Sequence, residues 1–483
     1  MDKSLFSVLE DAQVVAIVCN QWGDTGKGKI VNYLAKEWAD VVARGNGGNN
    51  AGHTVVLNNE EVILHLIPCG IFNPDVYNII GSGTVIDPFV LLEEINTLKN
   101  KGVKVDKLRI SGYASVITPL HIVADCYNKK IGTTGRGVGP AYRDRAGRNN
   151  IRINDLMNPD VLKERLISLY NFYSFNSELL EKISNHSAVG KFIDRDRICL
   201  DAIIEELINA GKEISIFACD VSKEMCGFVK DGKRIIVEGA QGLLLGVEEG
   251  TYPYVTSSCC SALHVVAGAG LPANLGSDLK VFGVVKFPVM TRVGNGPMPT
   301  EIGTEANDRS YKEEQNYDLN GLKEKALSGD QNSLRVFLRL KGKEYGATTG
   351  RPRRIGWIDL VALRYAVRMN GPNIVLTKID CCPLPAINIC DKYIYQGKGT
   401  WSNGKAYSQG NIIRDFPTDS YVLENCTGFF EQRPWYEGDL RDIKDYNALP
   451  QVVREAIEEM EEKTGCHVTL ISNGPNEEDI IIK

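Results

Sequence analysis

Short runs of apolar residues recur along the chain, and most of them end in a loop rich in glycine and hydroxyl side chains. The runs are dominated by Val and Ile and are short enough to be buried strands. They lie at 14–18, 40–44, 234–237, 281–285, 373–377 and 467–471. Because parallel strands need long crossovers, usually helices, this pattern predicts an α/β protein. We expect one large mixed, mostly parallel sheet flanked by helices, with long ligand loops.

The segments between these runs differ in character. From about 155 to 230 the chain is predicted to be helical, and its clearest apolar stripe is Leu200, Ile203, Ile204, Leu207 and Ile208. Two further helices are predicted at 358–369 and 451–463. The stretch from about 303 to 343 is strongly charged, which favours a solvated surface insertion with a short helix near 321–327. We expect residues 1–483 to form a single domain that includes both regions.

Composition narrows the classes of function. The chain has 483 residues, 24% charged and 43% hydrophobic, with a formal net charge of −6 and no long basic run, so we expect no nucleic-acid partner. Its 13 cysteines are scattered without a C-x-x-C pair, which is typical of reduced thiols in the cytoplasm. Without a signal-peptide pattern or the apolar run of about 18 residues that a membrane span requires, we expect a cytoplasmic protein with no membrane partner.

The first loop carries the strongest chemical signal. It connects the strand at 14–18 to a helical segment, and residues 23–29 fit the P-loop spacing G-x-x-x-x-G-K. Glycines let backbone N–H groups point at an anion, and a helix N-terminus adds positive potential. Ile30 stands where a P-loop has Ser or Thr for magnesium, and Asp24 lies inside the loop. We therefore predict a P-loop-like phosphate site of a different kind. The alternative is a turn that binds nothing.

A second glycine-rich loop, at 45–54, follows the second predicted strand and contains His53. Loops at the carboxyl ends of parallel strands share one edge of a sheet, so the two loops should meet there. Asp24 and His53 are therefore our candidate base and acid. The alternative is that His53 is a structural residue with its hydrogen bonds satisfied.

Three later stretches suit further ligands. Residues 131–142 combine glycines, threonines and an arginine, with Arg148 close behind, which suits an anion; the alternative is a surface loop. Residues 346–354 place arginines beside threonines and glycine, which suits a carboxylate because guanidinium binds it in a bidentate manner. Asp380, at a strand end just after Lys378, can accept from N1–H and the 2-amino group of guanine.

Seven stretches, in order along nearly the whole chain, resemble the motifs of the adenylosuccinate synthetase family. They are 21–29, 47–54, 131–142, 238–242, 250–258, 346–351 and 377–380. The resemblance implies a P-loop-like GTP-binding architecture and a GTP-dependent ligase that joins L-aspartate to C6 of IMP through a 6-phosphoryl-IMP intermediate. It also implies Mg²⁺ as cofactor and a homodimer.

The resemblance also implies roles for individual residues. The catalytic residues would be Asp24, His53, Lys27 and Gln241. IMP would be held by Asp24, Thr25, Gly26, Lys27, Asn50, Ala51, Gly52, His53, Thr134, Arg148, Gln241 and Thr256. GTP would be held by Gly23, Gly26, Lys27, Gly28, Lys29, Gly52, His53, Thr54, Arg353, Lys378, Ile379, Asp380, Ser472, Asn473 and Gly474. L-Aspartate would be held by Ala347, Thr348, Thr349, Gly350 and Arg351. Mg²⁺ would be held by Asp24 and Gly52. Arg148 would enter the site of the partner subunit.

The chain departs from the family's usual pattern. Thr25 and Cys259 stand where Glu and Asn are usual, and the 303–343 insertion is longer than in bacterial members. Some relatives use a 2-aminopurine nucleotide such as dGMP in place of IMP, but there the catalytic Asp is typically replaced, and Asp24 is kept here. Two other classes stay open from the sequence. One is a non-catalytic GTP-binding regulatory protein, which Ile30 disfavours. The other is a catalytically silent relative, which the intact acid–base pair disfavours.

Overall fold

The computed structural model describes residues 8–9, 12–57, 60–127, 133–195, 197–275, 278–304, 308–346 and 350–483. Its strands are β1 Val14–Cys19, β2 Val41–Arg44, β3 His53–Leu57, β4 Glu60–Leu64, β5 Tyr77–Ile80, β6 Val85–Ile86, β7 Leu108–Ser111, β8 Ser115–Val116, β9 Ile193–Asp194, β10 Arg197–Ile198, β11 Ala218–Cys219, β12 Ile235–Glu238, β13 Leu279–Lys286, β14 Val289–Arg292, β15 Arg354–Asp359, β16 Asn373–Thr377, β17 Ala386–Tyr395, β18 Thr400–Ser402, β19 Lys405–Tyr407, β20 Ile412–Ile413, β21 Cys426–Pro434, β22 His467–Ser472 and β23 Ile480–Ile482. Its helices are α1 Lys27–Glu37, α2 Pro88–Asn100, α3 Pro119–Tyr127, α4 Val138–Ala146, α5 Ile153–Leu156, α6 Pro159–Tyr173, α7 Ser177–Ile183, α8 Leu200–Ile214, α9 Val221–Lys230, α10 Ala262–Gly268, α11 Tyr311–Glu314, α12 Leu319–Leu327, α13 Gln331–Gly342, α14 Leu360–Asn370, α15 Ser420–Leu423 and α16 Gln451–Thr464.

Ten of these strands form the central sheet, in the order β11-β7-β5-β2-β12-β1-β13-β16-β22-β23. Neighbouring strands run parallel, except that β23 is antiparallel to β22. All six predicted strands belong to this sheet, and their bounds differ from the expected ones by no more than one or two residues. The predicted large, mostly parallel sheet is therefore confirmed.

Strand β1 lies in the interior of this sheet, and all of its residues are buried. Val15 and Ile17 pack into the core on one face, whereas Val14, Ala16 and Val18 pack into the core on the other. Successive side chains of a strand point to opposite faces, so a strand covered on both faces reads as a continuous apolar run. This explains why the hydrophobic pattern located β1 correctly.

A second sheet, of five strands, was not predicted from the sequence. It contains β14, β15, β17, β20 and β21, and its longest pairing joins β17 to β21 in antiparallel register. Only the first residue of β21, Cys426, is buried. Because this strand presents no apolar run, the hydrophobic pattern does not distinguish it from a loop.

Two of the predicted helices are present as single elements. The helix expected at 451–463 is α16, with the same start. The helix expected at 358–369 is α14, which begins two residues later because Ile358 and Asp359 end β15. The Asp359 carboxylate caps α14 by accepting a hydrogen bond from the backbone N–H of Ala362 at 3.0 Å.

The charged stretch at 303–343 does not match the expected solvated insertion throughout, because its last helix, α13, is buried. Phe337 of α13 packs into a hydrophobic core beside the central sheet. Arg335 and Arg339 are also buried. Their carboxylate partners, at 2.6–2.7 Å, are Glu301, Asp308 and Glu314. The two buried arginines of α13 are therefore paired inside the protein, whereas most residues of α11 and α12 are exposed.

Candidate active site

The loops expected to bind ligands lie at one edge of the central sheet. Strands β1, β2, β12, β16 and β22 are parallel, so their carboxyl ends point in the same direction. The segments that follow them are 20–26, 45–52, 239–242, 378–380 and 473–474. In an α/β sheet this edge is where ligands bind.

The loop at 20–26 turns from β1 directly into α1. Gly23 and Gly26 have φ values of 85° and 76°, a left-handed conformation that glycine adopts without strain. Helix α1 begins at Lys27, so its first backbone N–H groups are not used within the helix. The buried Lys27 ammonium donates to the carbonyl of Gln241 at 2.8 Å. The glycine turn, the start of α1 and the lysine together form a site that suits an anion.

Asp24 lies inside this loop, and its side chain is 32% exposed. Its Oδ2 is 2.6 Å from Nε of Arg353 in the arginine-rich stretch. Burial would raise the pKa of Asp24, but the charges of Arg353, Lys286 and Lys27 outweigh burial and lower the pKa. Asp24 is therefore a carboxylate at neutral pH, as a general base or a metal ligand must be.

His53 begins β3 and is held by a buried carboxylate. Its Nδ1 contacts Oε1 of Glu238, the last residue of β12, and both side chains are buried. Glu238 also accepts hydrogen bonds from the backbone N–H and the thiol of Cys69, at 2.8 and 3.3 Å. These contacts fix the orientation of the His53 ring.

The charges favour an ionised Glu238 beside a neutral His53. Burial would raise the pKa of Glu238, but His53, Arg44 and the N–H of Cys69 lower it to about 2. Burial lowers the pKa of His53, and the opposing effect of Glu238 does not restore it. Because an ionised carboxylate only accepts hydrogen bonds, the His53 proton lies on Nδ1, and Nε2 is left for a ligand.

Hydrogen bonds join several of the predicted ligand loops. Gln241 Nε2 donates to Asn50 Oδ1 at 3.1 Å, which ties the loop after β12 to the second glycine loop. The Tyr142 hydroxyl accepts from the N–H of Gly47 at 2.9 Å. A Cβ added to Gly28 would lie 3.2 Å from the Cβ of His53. The candidate acid therefore stands beside the first turn of α1, next to the phosphate loop.

The turn after β16 carries the residues expected to recognise guanine. Lys378, in a left-handed conformation, donates to the carbonyl of Gly342 at 2.8 Å. Asp380 follows in the short 3₁₀ helix Ile379–Cys381 and is half-buried. A carboxylate in this position is open to a donor from outside.

Two polar residues expected to bind GTP form internal contacts. Lys29 donates three hydrogen bonds of 2.8 Å to the turn at 472–479. The side chain of Asn473 is buried and donates to carbonyls of the loop at 440–443, at 2.6 and 2.8 Å. Both side chains shape the turn at the end of β22, and their expected contact with GTP stays a prediction.

Thr25 and Ile379 have buried side chains. Thr25, expected at IMP, is 0% exposed, and its carbonyl accepts from the Thr377 hydroxyl at 2.9 Å. Ile379, expected at GTP, belongs to the same hydrophobic core as Phe337. Their expected contacts with IMP and GTP stay predictions.

Other predicted residues are accessible. Gly26, Thr134, Arg148 and Arg351 are exposed, and Gly52, Thr54 and Thr256 are half-buried. The expected aspartate residues Ala347, Thr348 and Thr349 lie outside the described residues. The Arg351 carbonyl accepts from the N–H of Gly346 at 2.7 Å. The structure thus brings the loops predicted to bind phosphate, purine and guanine to one edge of the sheet, and Arg351 is exposed.

Sequence reasoning missed two buried charges of this site, Glu238 and Lys286. Glu238 is the last residue of β12, which is otherwise apolar, and Lys286 is the last residue of β13, which is buried from Phe282 onward. Lys286 Nζ donates to Glu344 and to the Thr291 hydroxyl, and its charge contributes to the low pKa of Asp24. A charged residue at the end of a buried strand could have indicated both residues from the sequence, because a buried charge needs a partner.

We expect acid to destabilise the ligand-free protein through its buried histidines. Burial lowers the pKa values of His53, His65 and His121 below the ordinary 6.5. The unfolded chain then binds more protons, so this stability is present above about pH 6.5 and is lost as the pH falls through that value. Burial raises the pKa values of Asp87, Glu94 and Asp359 to about 6, 7 and 6, so these carboxyls oppose the histidines in the same pH range. The informative measurement is therefore the melting temperature of a variant relative to the wild type from about pH 8 to about pH 5. This difference should rise below about pH 6.5 for His53→Asn and stay constant for the exposed-site variant His467→Asn.

The fold and the site together indicate a class of protein: a nucleotide-dependent α/β enzyme with a P-loop-like glycine turn and a candidate acid–base pair. The sequence model for adenylosuccinate synthetase matches residues 16–481. The chain belongs to the adenylosuccinate synthetase family. Its membership confirms the predicted enzyme class, a GTP-dependent carbon–nitrogen ligase of purine biosynthesis that joins L-aspartate to C6 of IMP.

Individual relatives support this assignment over the whole chain. Adenylosuccinate synthetase of Caldicellulosiruptor bescii is 39% identical over 480 residues, covering 98% of this chain and 99% of the relative. The fully ligated structure of adenylosuccinate synthetase from Plasmodium falciparum is 30% identical with a TM-score of 0.78, covering 98% of this chain and 100% of that one. A succinoaminodeoxyadenylate synthetase of cyanophage S-2L, bound to dGMP and dATP, shares the fold at 19% identity and a TM-score of 0.55, covering 98% and 95%.

Among the residues that the structure describes, no helix combines the length and the apolar character that crossing a bilayer requires.

Proposed function

We propose that this edge of the central sheet is the site at which IMP, L-aspartate and GTP react to give adenylosuccinate, GDP and phosphate. One observation carries the proposal: an ionised Asp24 inside a phosphate-type loop, with His53 beside the first turn of α1. The first group can accept a proton from the purine, and the second can interact with a phosphoryl group. A nucleotide switch without ligase chemistry needs no such pair.

The reaction follows from these positions in two steps. Asp24 accepts the N1 proton of IMP, which leaves negative charge on O6. O6 then bonds to the γ-phosphorus of GTP while the bond to the β-phosphate oxygen breaks, and GDP leaves. The amine of L-aspartate attacks C6 of the 6-phosphoryl-IMP, loses a proton and expels phosphate. The chemistry therefore depends mainly on positioning and charge neutralisation.

Two basic side chains would act on the transferred group. Lys27 and the N–H groups at the start of α1 would neutralise phosphoryl charge. Negative phosphate beside His53 would favour the protonated imidazole, whose Nε2–H can then donate to a phosphoryl oxygen. Glu238 would keep Nδ1 and the ring in place while this happens.

A magnesium ion fits the oxygen donors of the site. Asp24 offers an ionised carboxylate and Gly52 a backbone carbonyl, and both residues are partly exposed. Mg²⁺ prefers hard oxygen ligands and is usually held by one or two carboxylates together with substrate phosphates. When bound, it would neutralise charge on the GTP phosphates.

The remaining contacts complete the proposal. Asn50, Gln241, Thr134 and Thr256 would hold IMP; Arg353, Lys378, Asp380 and the turn at 472–474 would hold GTP; Thr348, Thr349 and Arg351 would hold L-aspartate. Exposure of Arg148 supports a homodimer in which this arginine enters the site of the partner subunit. The 13 cysteines are all free thiols, which supports a cytoplasmic location.

An assay of purified protein tests the proposal and the identity of the purine. The enzyme is supplied with GTP, L-aspartate and Mg²⁺, and GDP release is measured with IMP or with dGMP. We expect turnover with IMP and product that contains the aspartate nitrogen at C6. Turnover with dGMP but not with IMP would assign the chain to the 2-aminopurine variant of the reaction, and GTP hydrolysis without ligation would reject the ligase.

Arg351→Leu should raise the KM for L-aspartate at least about tenfold while the KM values for GTP and IMP change little. The reason is that a guanidinium–carboxylate hydrogen bond is among the stronger ones in proteins. Initial rates with each substrate varied in turn provide the measurement. Arg197→Leu, at an exposed arginine 74% accessible to solvent, is the matched control. An unchanged KM for aspartate would remove Arg351 from the amino-acid site.

A further inference from the structure

Three metal-binding side chains meet outside the proposed acid–base pair. Glu248 and Cys259 lie on the segments between β12 and α10, and His264 lies on α10. Their ligand atoms are within 4.8 Å of one another, and His264 Nε2 is 3.4 Å from Oε2 of Glu248. Two ligands about 2.1 Å from a tetrahedral zinc ion are about 3.4 Å apart, so this spacing suits zinc.

A hydrogen-bond chain orients the imidazole toward this cluster. The Ser261 hydroxyl donates to Oε1 of the buried Glu249 at 2.6 Å and lies 2.8 Å from Nδ1 of His264. Since the Ser261 proton is directed at Glu249, the Ser261 oxygen accepts from Nδ1–H of His264. Nε2 then faces Glu248 with its lone pair. Metal-binding histidines are usually held by a second hydrogen bond of this kind.

We propose that Glu248, Cys259 and His264 bind Zn²⁺, or a divalent ion with the same ligand preference, with water in the fourth position. Thiolate and imidazole ligands select such ions over Mg²⁺. Glu248 and His264 are exposed and Cys259 is half-buried, so the ion has a path from solvent. Zinc sites that stabilise a fold usually have four protein ligands. With three protein ligands and one open position, we expect the ion at this site to exchange with solvent.

The site is distinct from the other cluster of such groups in the described residues, His53, Cys69 and Glu238. There the three side chains are buried, and Glu238 already receives hydrogen bonds from both of the others. An ion would have to replace these contacts in the interior. At the other cluster, Glu248 also contacts His264 and Cys259, but these contacts lie at the surface, where water can replace them.

Cobalt titration of the intact protein tests the proposal. Chelator-treated protein in excess Mg²⁺ is titrated with Co²⁺, whose thiolate complexes show a sulfur-to-metal charge-transfer band in the near ultraviolet. We expect this band to saturate at one ion per chain and to disappear when Zn²⁺ is added. Absence of the band in the wild-type protein overturns the proposal, because an ordinary His264–Glu248 ion pair produces none.

Matched variants locate the ion. Cys259→Ser should abolish the band, and His264→Asn should weaken binding by about 10- to 100-fold. The controls are Cys226→Ser and His467→Asn, which change exposed residues elsewhere and should leave the titration unchanged. A band that survives Cys259→Ser but is lost in Cys69→Ser would overturn the assignment and place the ion at the buried cluster.

Discussion

Asp24→Asn should lower kcat by about 10²- to 10⁴-fold, the usual cost of losing a general base. Asparagine keeps the size of the side chain and tolerates the left-handed backbone of Asp24, whose φ is 52°. It removes the negative charge that would accept the N1 proton and bind Mg²⁺. The phosphate loop and Lys27 are unchanged, so the affinity for GDP measured by calorimetry should change little. Steady-state rates with saturating IMP, GTP and L-aspartate provide the main measurement.

The control for this variant is Asp75→Asn, at a carboxylate whose side chain is 95% exposed. Its kcat should equal that of the wild type. If Asp24→Asn keeps activity within a few fold of the wild type, Asp24 is not the base. If the variant also loses GDP binding or melts at a clearly lower temperature, the carboxylate serves mainly to hold Arg353 in place.

Glu238→Gln should lower kcat by roughly 10²-fold or more, although Glu238 is too deeply buried to touch a substrate. The carboxylate accepts hydrogen bonds from His53 and from Cys69. In a glutamine side chain the amide NH₂ would face one of these N–H groups, and that hydrogen bond would be lost. The His53 ring would then lose its orientation and its fixed proton position. We expect KM values for IMP and GTP to change far less than kcat, because the substrate contacts remain.

A double variant separates positioning from general damage. If Glu238 acts through His53, the variant carrying His53→Asn and Glu238→Gln should be no slower than His53→Asn alone. If the losses of kcat in the two single variants multiply in the double variant, Glu238 has a role separate from that of His53. Glu238→Asp, which keeps the charge, should recover part of the activity. Comparison of melting temperatures shows whether a lost rate reflects unfolding.

The hydrophobic pattern predicts the parts of the fold that are buried on both sides. Strands such as β1 and β16 read as apolar runs because helices cover both faces of the sheet. Strand β21 is mostly exposed, and α13 buries paired charges. Prediction from composition therefore missed the strand and wrongly placed the helix in solvent. The elements that escaped prediction are those whose environment depends on distant partners. The single domain expected for 1–483 stays a prediction.

The same distinction applies to the site. Glycine loops and the position of Asp24 are visible in the sequence, since turn chemistry is local. The partners of those residues are not: Glu238 is 185 residues from His53, and Lys29 is 443 residues from Ser472. Resemblance to a family assigns roles to residues such as Thr25 and Ile379, but only the fold shows that both of their side chains are buried.

The hydrogen bonds of Lys29 also set an order of assembly during synthesis. They connect α1 to a turn that is synthesised more than 440 residues later, since Ser472 lies 443 residues after Lys29. Until β22 has been made, the phosphate loop lacks the element that fixes its lysine, and β16 lacks its outer neighbour. Contacts of such long sequence separation form slowly because a long chain must first close. We therefore expect a nascent chain that has not yet reached β22 to bind nucleotide more weakly than a chain that contains it.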